Sequence, residues 1–125
     1  MTRQEMKELI IETIKKERWV PVIDVEDLFK KNGYDYEGDR ALYSVDENGN
    51  PNESIVIWRG WNEDAATIIC EILDESNRKI AFKPALNPIE FFCLGGGLTN
   101  MDIAKSPTKK YKKQRWLPGA YVWLG

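Results

Sequence analysis

Apolar positions recur at helical spacing in two stretches of the chain. In the first, Met6, Leu9, Ile10, Thr13 and Ile14 make one stripe, with Lys7, Glu8, Glu12, Lys15 and Lys16 on the opposite side and Glu12 placed four residues before Lys16. Thr2 and Glu5 stand at the Thr-x-x-Glu spacing of a capping box, in which hydroxyl and carboxylate satisfy otherwise unpaired N–H groups of a first turn. The pattern predicts a helix over residues 3–17. Ile11 falls off its stripe and reads as a singly exposed apolar side chain. In the second stretch, Asn62 is a helix-starting side chain. Ala65, Ala66, Ile68, Ile69, Ile72 and Leu73 follow at the same period, predicting a helix over 63–75. Five or six buried side chains at about 1.5 to 3 kcal/mol each make it the largest single contributor to the core. The apolar run Ile55-Val56-Ile57-Trp58 before it predicts a strand that stops in a tight turn at Arg59-Gly60.

The remaining segments are shorter. Residues 19–23 are too apolar for a surface linker, and Pro21 bars them from a central hydrogen-bonded position, so an edge strand or extended connector is expected. Asp24 then caps a short helix with Val25, Leu28 and Phe29 facing inward. Glu26 and Asp27 complement its positive end, and Asn32-Gly33 stops it. Residues 34–39 read as a surface loop. Residues 40–45 and 54–58 pair as a hairpin around Asn48-Gly49, a turn signal because both residues tolerate positive φ. Residues 79–83 and 89–94 form a second hairpin with 84–88 as its loop. Gly95-Gly96-Gly97 then leads into a short capped helix over 98–104. The apolar finish, residues 116–124, is expected to dock as a strand.

These elements make an α+β fold in a single domain spanning residues 1–125. The two opening helices joined by an extended apolar segment, over about the first third of the chain, resemble winged-helix domains in layout. That resemblance implies that the 63–75 helix occupies the place where DNA binders put the recognition helix, and that the second hairpin is the wing.

Composition narrows the chemistry. The chain has 125 residues, 42% of them apolar and 30% charged, as expected of a folded globule. The opening residues carry charges every few positions, which fits no signal peptide, and no stretch approaches the length of a membrane span. Cys70 and Cys93 match neither a metal nor a disulfide framework, so two buried reduced thiols and a cytoplasmic location are expected. There is no histidine, which removes Ser-His and Cys-His nucleophile pairs and His-ligated zinc. No cofactor or metal is expected. Net charge is −2, but Lys105, Lys109, Lys110, Lys112, Lys113 and Arg115 fall within a short run without an acid. Without those six, the other 12 of the 18 bases face all 20 acids, a balance of −8.

A non-enzymatic binding module is the function these features favour. Its first form is a protein-interaction adaptor or regulator, contacting a protein partner through the acidic helix face of Glu63, Thr67, Glu71 and Asp74, or through aromatic surfaces at Trp19, Trp58, Trp61 and Trp116. For any one of these tryptophans, a place in the core is favoured. The carboxylates of the helix face argue against its entry into a DNA groove. The alternative form is nucleic-acid binding, by single-stranded or backbone contacts, through Lys105, Lys109, Lys110, Lys112, Lys113 and Arg115, with these cations tracking phosphates and Tyr111 and Trp116 stacking on unpaired nucleotides, while the acidic body would repel a long duplex. Enzymatic readings are remoter. Asp35, Glu37 and Asp39 are ordinary turn chemistry, and Cys93 lacks an imidazole base. The glycine run has neither phosphate-loop signature, and a calcium loop starting at Asp46 would meet Pro51 and Ile57 where Gly and an acid are needed. Nothing in the sequence specifies an oligomeric state.

Overall fold

The computed structural model of the chain describes residues 1–46, 48–84, 104 and 109–125. Its elements run α1 (Arg3–Glu17), β1 (Trp19–Pro21), α2 (Val22–Lys31), β2 (Glu37–Val45), β3 (Pro51–Trp61), α3 (Glu63–Glu75), β4 (Ile80–Pro84), β5 (Arg115–Trp116) and β6 (Gly119–Trp123). The fold is α+β, as the sequence pattern predicts.

Local chemistry explains the helix ends. At the start of α1 the Thr2 hydroxyl accepts from the Glu5 N–H at 3.1 Å, and the Thr2 N–H donates to the Glu5 carboxylate at 3.0 Å, so both halves of the capping box form. At α3 the Asn62 side-chain oxygen accepts from the Ala65 N–H at 2.8 Å. The second helix differs from expectation. It begins at Val22, with extended Pro21 (φ −56°, ψ 152°) at its cap position and no side-chain cap bond. The reason is burial: Val22 is drawn into the core at 2% exposure. Asp24 therefore lies within the first turn, where its charge still suits the positive helix end. Asn32 closes the helix as expected, followed by Gly33 at φ 64°.

Two three-stranded sheets form, ordered β1-β6-β4 and β2-β3-β5. In the first all pairing is antiparallel, with Tyr121 of β6 between Val20 and Phe82. The apolar finish thus docks as the central strand, and Pro21 lies on an edge where its missing N–H costs no ladder bond. Gly119 is required there, since a Cβ at this position would come within 2.6 Å of the Lys83 carbonyl oxygen. In the second sheet, β2 and β3 are an antiparallel hairpin and β5 lies parallel to β3, with Ile55 opposite Arg115 and Val56 opposite Trp116.

The first hairpin is longer than its sequence pattern. Arg59-Gly60 does not turn the chain; β3 continues through them to Trp61, paired with Arg40 and Glu37 of β2, and Gly60 absorbs the irregularity at φ 97°. The loop over 34–39 shrinks accordingly. Tyr34 and Tyr36 stack on Phe29, at 5.7 and 6.0 Å between ring centroids. At the hairpin tip the Asp46 carboxylate accepts from the N–H groups of Asn48 and Asn50, a turn device that leaves the calcium reading without support. Residues 89–94, the expected partner strand of β4, lie outside the described residues. So do Gly95-Gly96-Gly97, Cys93, Lys105 and all but the last position of the helix expected over 98–104.

One apolar cluster joins the helices to both sheets. Met6, Ile10, Ile14, Phe29, Trp61, Ile68, Ile72, Trp116 and Tyr121 are each at most 2% exposed within it. A smaller cluster of Ile55, Ala104 and Leu117 sits beneath Tyr111 and Phe82. Two burial expectations are corrected. Lys7, assigned to the wet side of α1, is 6% exposed, because its aliphatic stem covers apolar surface while its ammonium reaches carboxylates. Cys70 is exposed rather than buried, because at about 100° per residue it falls outside the arc set by Ile68, Ile69 and Ile72. Among the described residues no helix is long and apolar enough to cross a membrane.

Candidate nucleic-acid interface

The candidate surfaces differ in how their charges are partnered. On the acidic helix, Arg3 of α1 reaches across to donate from Nε to Asp64 Oδ1 at 2.8 Å and from Nη2 to both oxygens of Glu71 at 2.8 and 2.9 Å. Lys7 Nζ lies 2.5 Å from Glu75 and 3.8 Å from Glu71. The Tyr34 hydroxyl donates to the second Asp64 oxygen. Arg3 accordingly holds the Glu71 carboxyl below its usual range. The Tyr34 hydroxyl, followed by Arg3, does the same for Asp64. Tyr34 itself is pushed up to about 12, first by burial and then by Asp64. Of the four residues expected to face a protein partner, Glu63, Thr67 and Asp74 are exposed. Glu71 is turned inward on Arg3, and Glu63 lies 3.7 Å from Arg40.

Three of the four candidate surface tryptophans are core residues. Trp58 is 5%, Trp61 1% and Trp116 0% exposed. The indole N–H groups of Trp58 and Trp61 both donate to Glu26 Oε1, at 3.2 and 3.1 Å, and that of Trp116 donates to the Ile57 carbonyl at 3.1 Å. Trp116 is therefore removed from the set that could stack on nucleotides, because exposing it would empty the centre of the core. Trp19 alone of the four is exposed, in a groove it shares with Glu17, Asp24 and Asp27.

The basic segment is shaped by its attachment to β3. The Asn52 amide donates to the Lys109 carbonyl at 3.2 Å, the Tyr111 N–H donates to Ser54 Oγ at 3.1 Å, and the Leu117 N–H donates to the Val56 carbonyl at 2.9 Å. Gln114 spans the pairing, donating to the Glu53 carbonyl and accepting from Arg59 Nη2 at 3.0 and 3.1 Å. The backbone is thus tied down at Lys109, Tyr111 and Leu117 while the lysine side chains stay outside. Lys109, Lys110, Lys112 and Lys113 are exposed, and none of them is ion-paired to a carboxylate among the described residues. With Tyr111 and Arg115 they line an open cleft of about 480 Å³. Tyr111 is a strut within it. Its ring packs against the smaller core cluster, carries the Arg115 guanidinium at 4.5 Å from its centroid, and has Lys109 Nζ at 5.7 Å.

Sequence reasoning missed Arg59, Gln114, Asn52 and Ser54 as parts of this surface. Arg59 was masked by the turn signal of the adjacent Gly60. Asn52 and Ser54 carry only their polarity, which no local pattern ties to a segment more than fifty residues away, and Gln114 is an uncharged member of the basic run itself. Asp35, Glu37 and Asp39 are exposed, the last two within β2. Among the described residues no group of three or more Cys, Asp and Glu is placed to hold a metal ion. The Cys70 thiol is raised above its ordinary value by partial desolvation and the nearby carboxylates of Asp74 and Glu71, which opposes thiolate chemistry. No family model matches the chain, and comparison with curated proteins and with solved structures gives no significant match.

Proposed function

We propose that the chain is a non-enzymatic binding module that holds a nucleic-acid backbone on the segment between Lys109 and Arg115. The observation that carries this reading is the contrast in partnering. Four exposed lysines stand along one anchored cleft without intramolecular ion pairs among the described residues, whereas the Asp64, Glu71 and Glu75 carboxylates of α3 are engaged by Arg3 and Lys7. Unpartnered cations on a fixed backbone release condensed counterions when they meet phosphates, at little ordering cost to the protein.

A winged-helix-type organisation is part of the proposal. Three helices precede β4 and β6, and the sheet order β1-β6-β4 puts the first strand beside the last. The β2–β3 hairpin is then an insertion between the second and third helices, and the basic segment belongs to the wing side. In this reading α3 is scaffold rather than recognition helix. A second reading, a protein partner on α3, is favoured by one observation: Glu63, Thr67 and Asp74 remain exposed on one helix.

Fluorescence anisotropy with labelled oligonucleotides at two salt concentrations tests the proposal. The unchanged chain should bind at low salt and release at high salt. The variant with Lys109, Lys110, Lys112 and Lys113 all changed to Glu should not bind. Equal binding by both proteins would overturn the assignment of the site.

A further inference from the structure

Proteins that hold unpaired strands combine a cationic track with open aromatic faces on which successive bases stack. In this fold the two ingredients are separated. Trp116 is fully buried. Tyr111 is half-buried, seated on the Ile55–Leu117 cluster, with its ring engaged by Arg115 and flanked by Lys109. The exposed Trp19 stands apart, in β1 beside Glu17, Asp24 and Asp27, where phosphates are repelled. Among the described residues, none of these three rings gives the cations an open base platform. The Gln114 bridge adds one more cation: it fixes the exposed Arg59 of β3 beside the lysines, so the charged surface extends from the cleft onto the strand.

We infer that the ligand is a duplex, gripped through its phosphates alone by Lys109, Lys110, Lys112, Lys113 and Arg59. This inference rests on the nucleic-acid reading above. A duplex presents about twice the linear charge density of a single strand, so a surface that reads charge without stacking gains more from it. No side chain in the set is arranged to distinguish bases, so binding is independent of sequence.

The test is a titration of the full-length chain with labelled DNA, using a duplex of about 20 base pairs and single strands of the same length, across about 50 to 200 mM KCl. About five phosphate contacts give a log–log salt slope of roughly −4 to −5 for the duplex, a loss of several hundred-fold in affinity across that range. Two unrelated duplex sequences should bind equally, and both more tightly than either strand. Arg59→Ala should make the slope shallower by about one unit, with circular dichroism unchanged. Tyr111→Leu, which keeps the apolar seat but removes the ring, should leave the preference for duplex intact. Single strands binding as tightly as the duplex, or a Tyr111→Leu variant losing single-strand binding selectively, would overturn the duplex inference while leaving the nucleic-acid reading standing. Absence of binding to every probe at the lowest salt would overturn both.

Discussion

The contact between α1 and α3 and the segment between Lys109 and Arg115 are both rich in charge, and they use it in opposite ways. Across the helices, each cation is matched to carboxylates at hydrogen-bond distance, and Lys7 is buried in the match. Along the segment, the fastening is done by backbone groups, Asn52, Ser54 and the buried Trp116, while the four lysines are exposed and, among the described residues, paired to no carboxylate. Charge that is paired inside the molecule orients its elements and has little left for a ligand. Charge held on an anchored backbone without a partner is available to one.

The comparison breaks first at Trp116, where the segment is fastened. Trp116→Ala should destabilise the fold by about 3 to 5 kcal/mol, read by urea unfolding. A loss under about 1 kcal/mol would mean that the segment is held elsewhere. A smaller effect separates the two members of the helix contact. Glu75→Ala leaves the ammonium of Lys7 with only the more distant Glu71, and should cost about 1 kcal/mol, because Glu75 is itself largely in water. Lys7→Met removes the buried charge together with its need for a partner, and should be neutral or stabilising. If Lys7→Met proves the more damaging change, the pair contributes more than orientation.

The tie from Arg3 should show a pH signature. Glu71 and Asp64 have folded-state carboxyl values depressed below their ordinary ones. Their stabilisation is therefore fully present above the usual carboxylate range and is lost as pH falls through the depressed values. The stability deficit of Arg3→Ala should consequently be visible at neutral pH and fade below about pH 4. A deficit that stays constant into acid would assign the role of Arg3 to packing. The smallest stability effect belongs to the lysines. Changing Lys112 and Lys113 to Glu should shift unfolding by less than about 0.5 kcal/mol per site, while nucleic-acid affinity falls steeply.

Local chemistry made the helices legible. Thr2 with Glu5, and Asn62 with its apolar period, place α1 and α3 at their observed ends, since caps and spacing act within a few residues. The sheets were less so. Docking of the 119–123 strand followed from its apolar character, but its place between β1 and β4 joins residues about a hundred positions apart, and no local signal records a partner at that distance. β3 ran past Gly60 because β2 offered further pairing, a tertiary effect that overrode a turn signal. The basic segment was visible as a charge run. That its backbone is fixed by Asn52 and Ser54, and that Trp116 faces inward, depend on β5 lying parallel to β3, which composition does not encode.

The most direct measurement is amide-shift mapping of the folded chain by heteronuclear NMR as a DNA duplex is added. The largest changes should fall on Lys109, Lys110, Lys112, Lys113 and Arg59, with Glu63, Thr67 and Asp74 of α3 unmoved. Changes centred on α3, with the basic segment silent, would contradict that assignment.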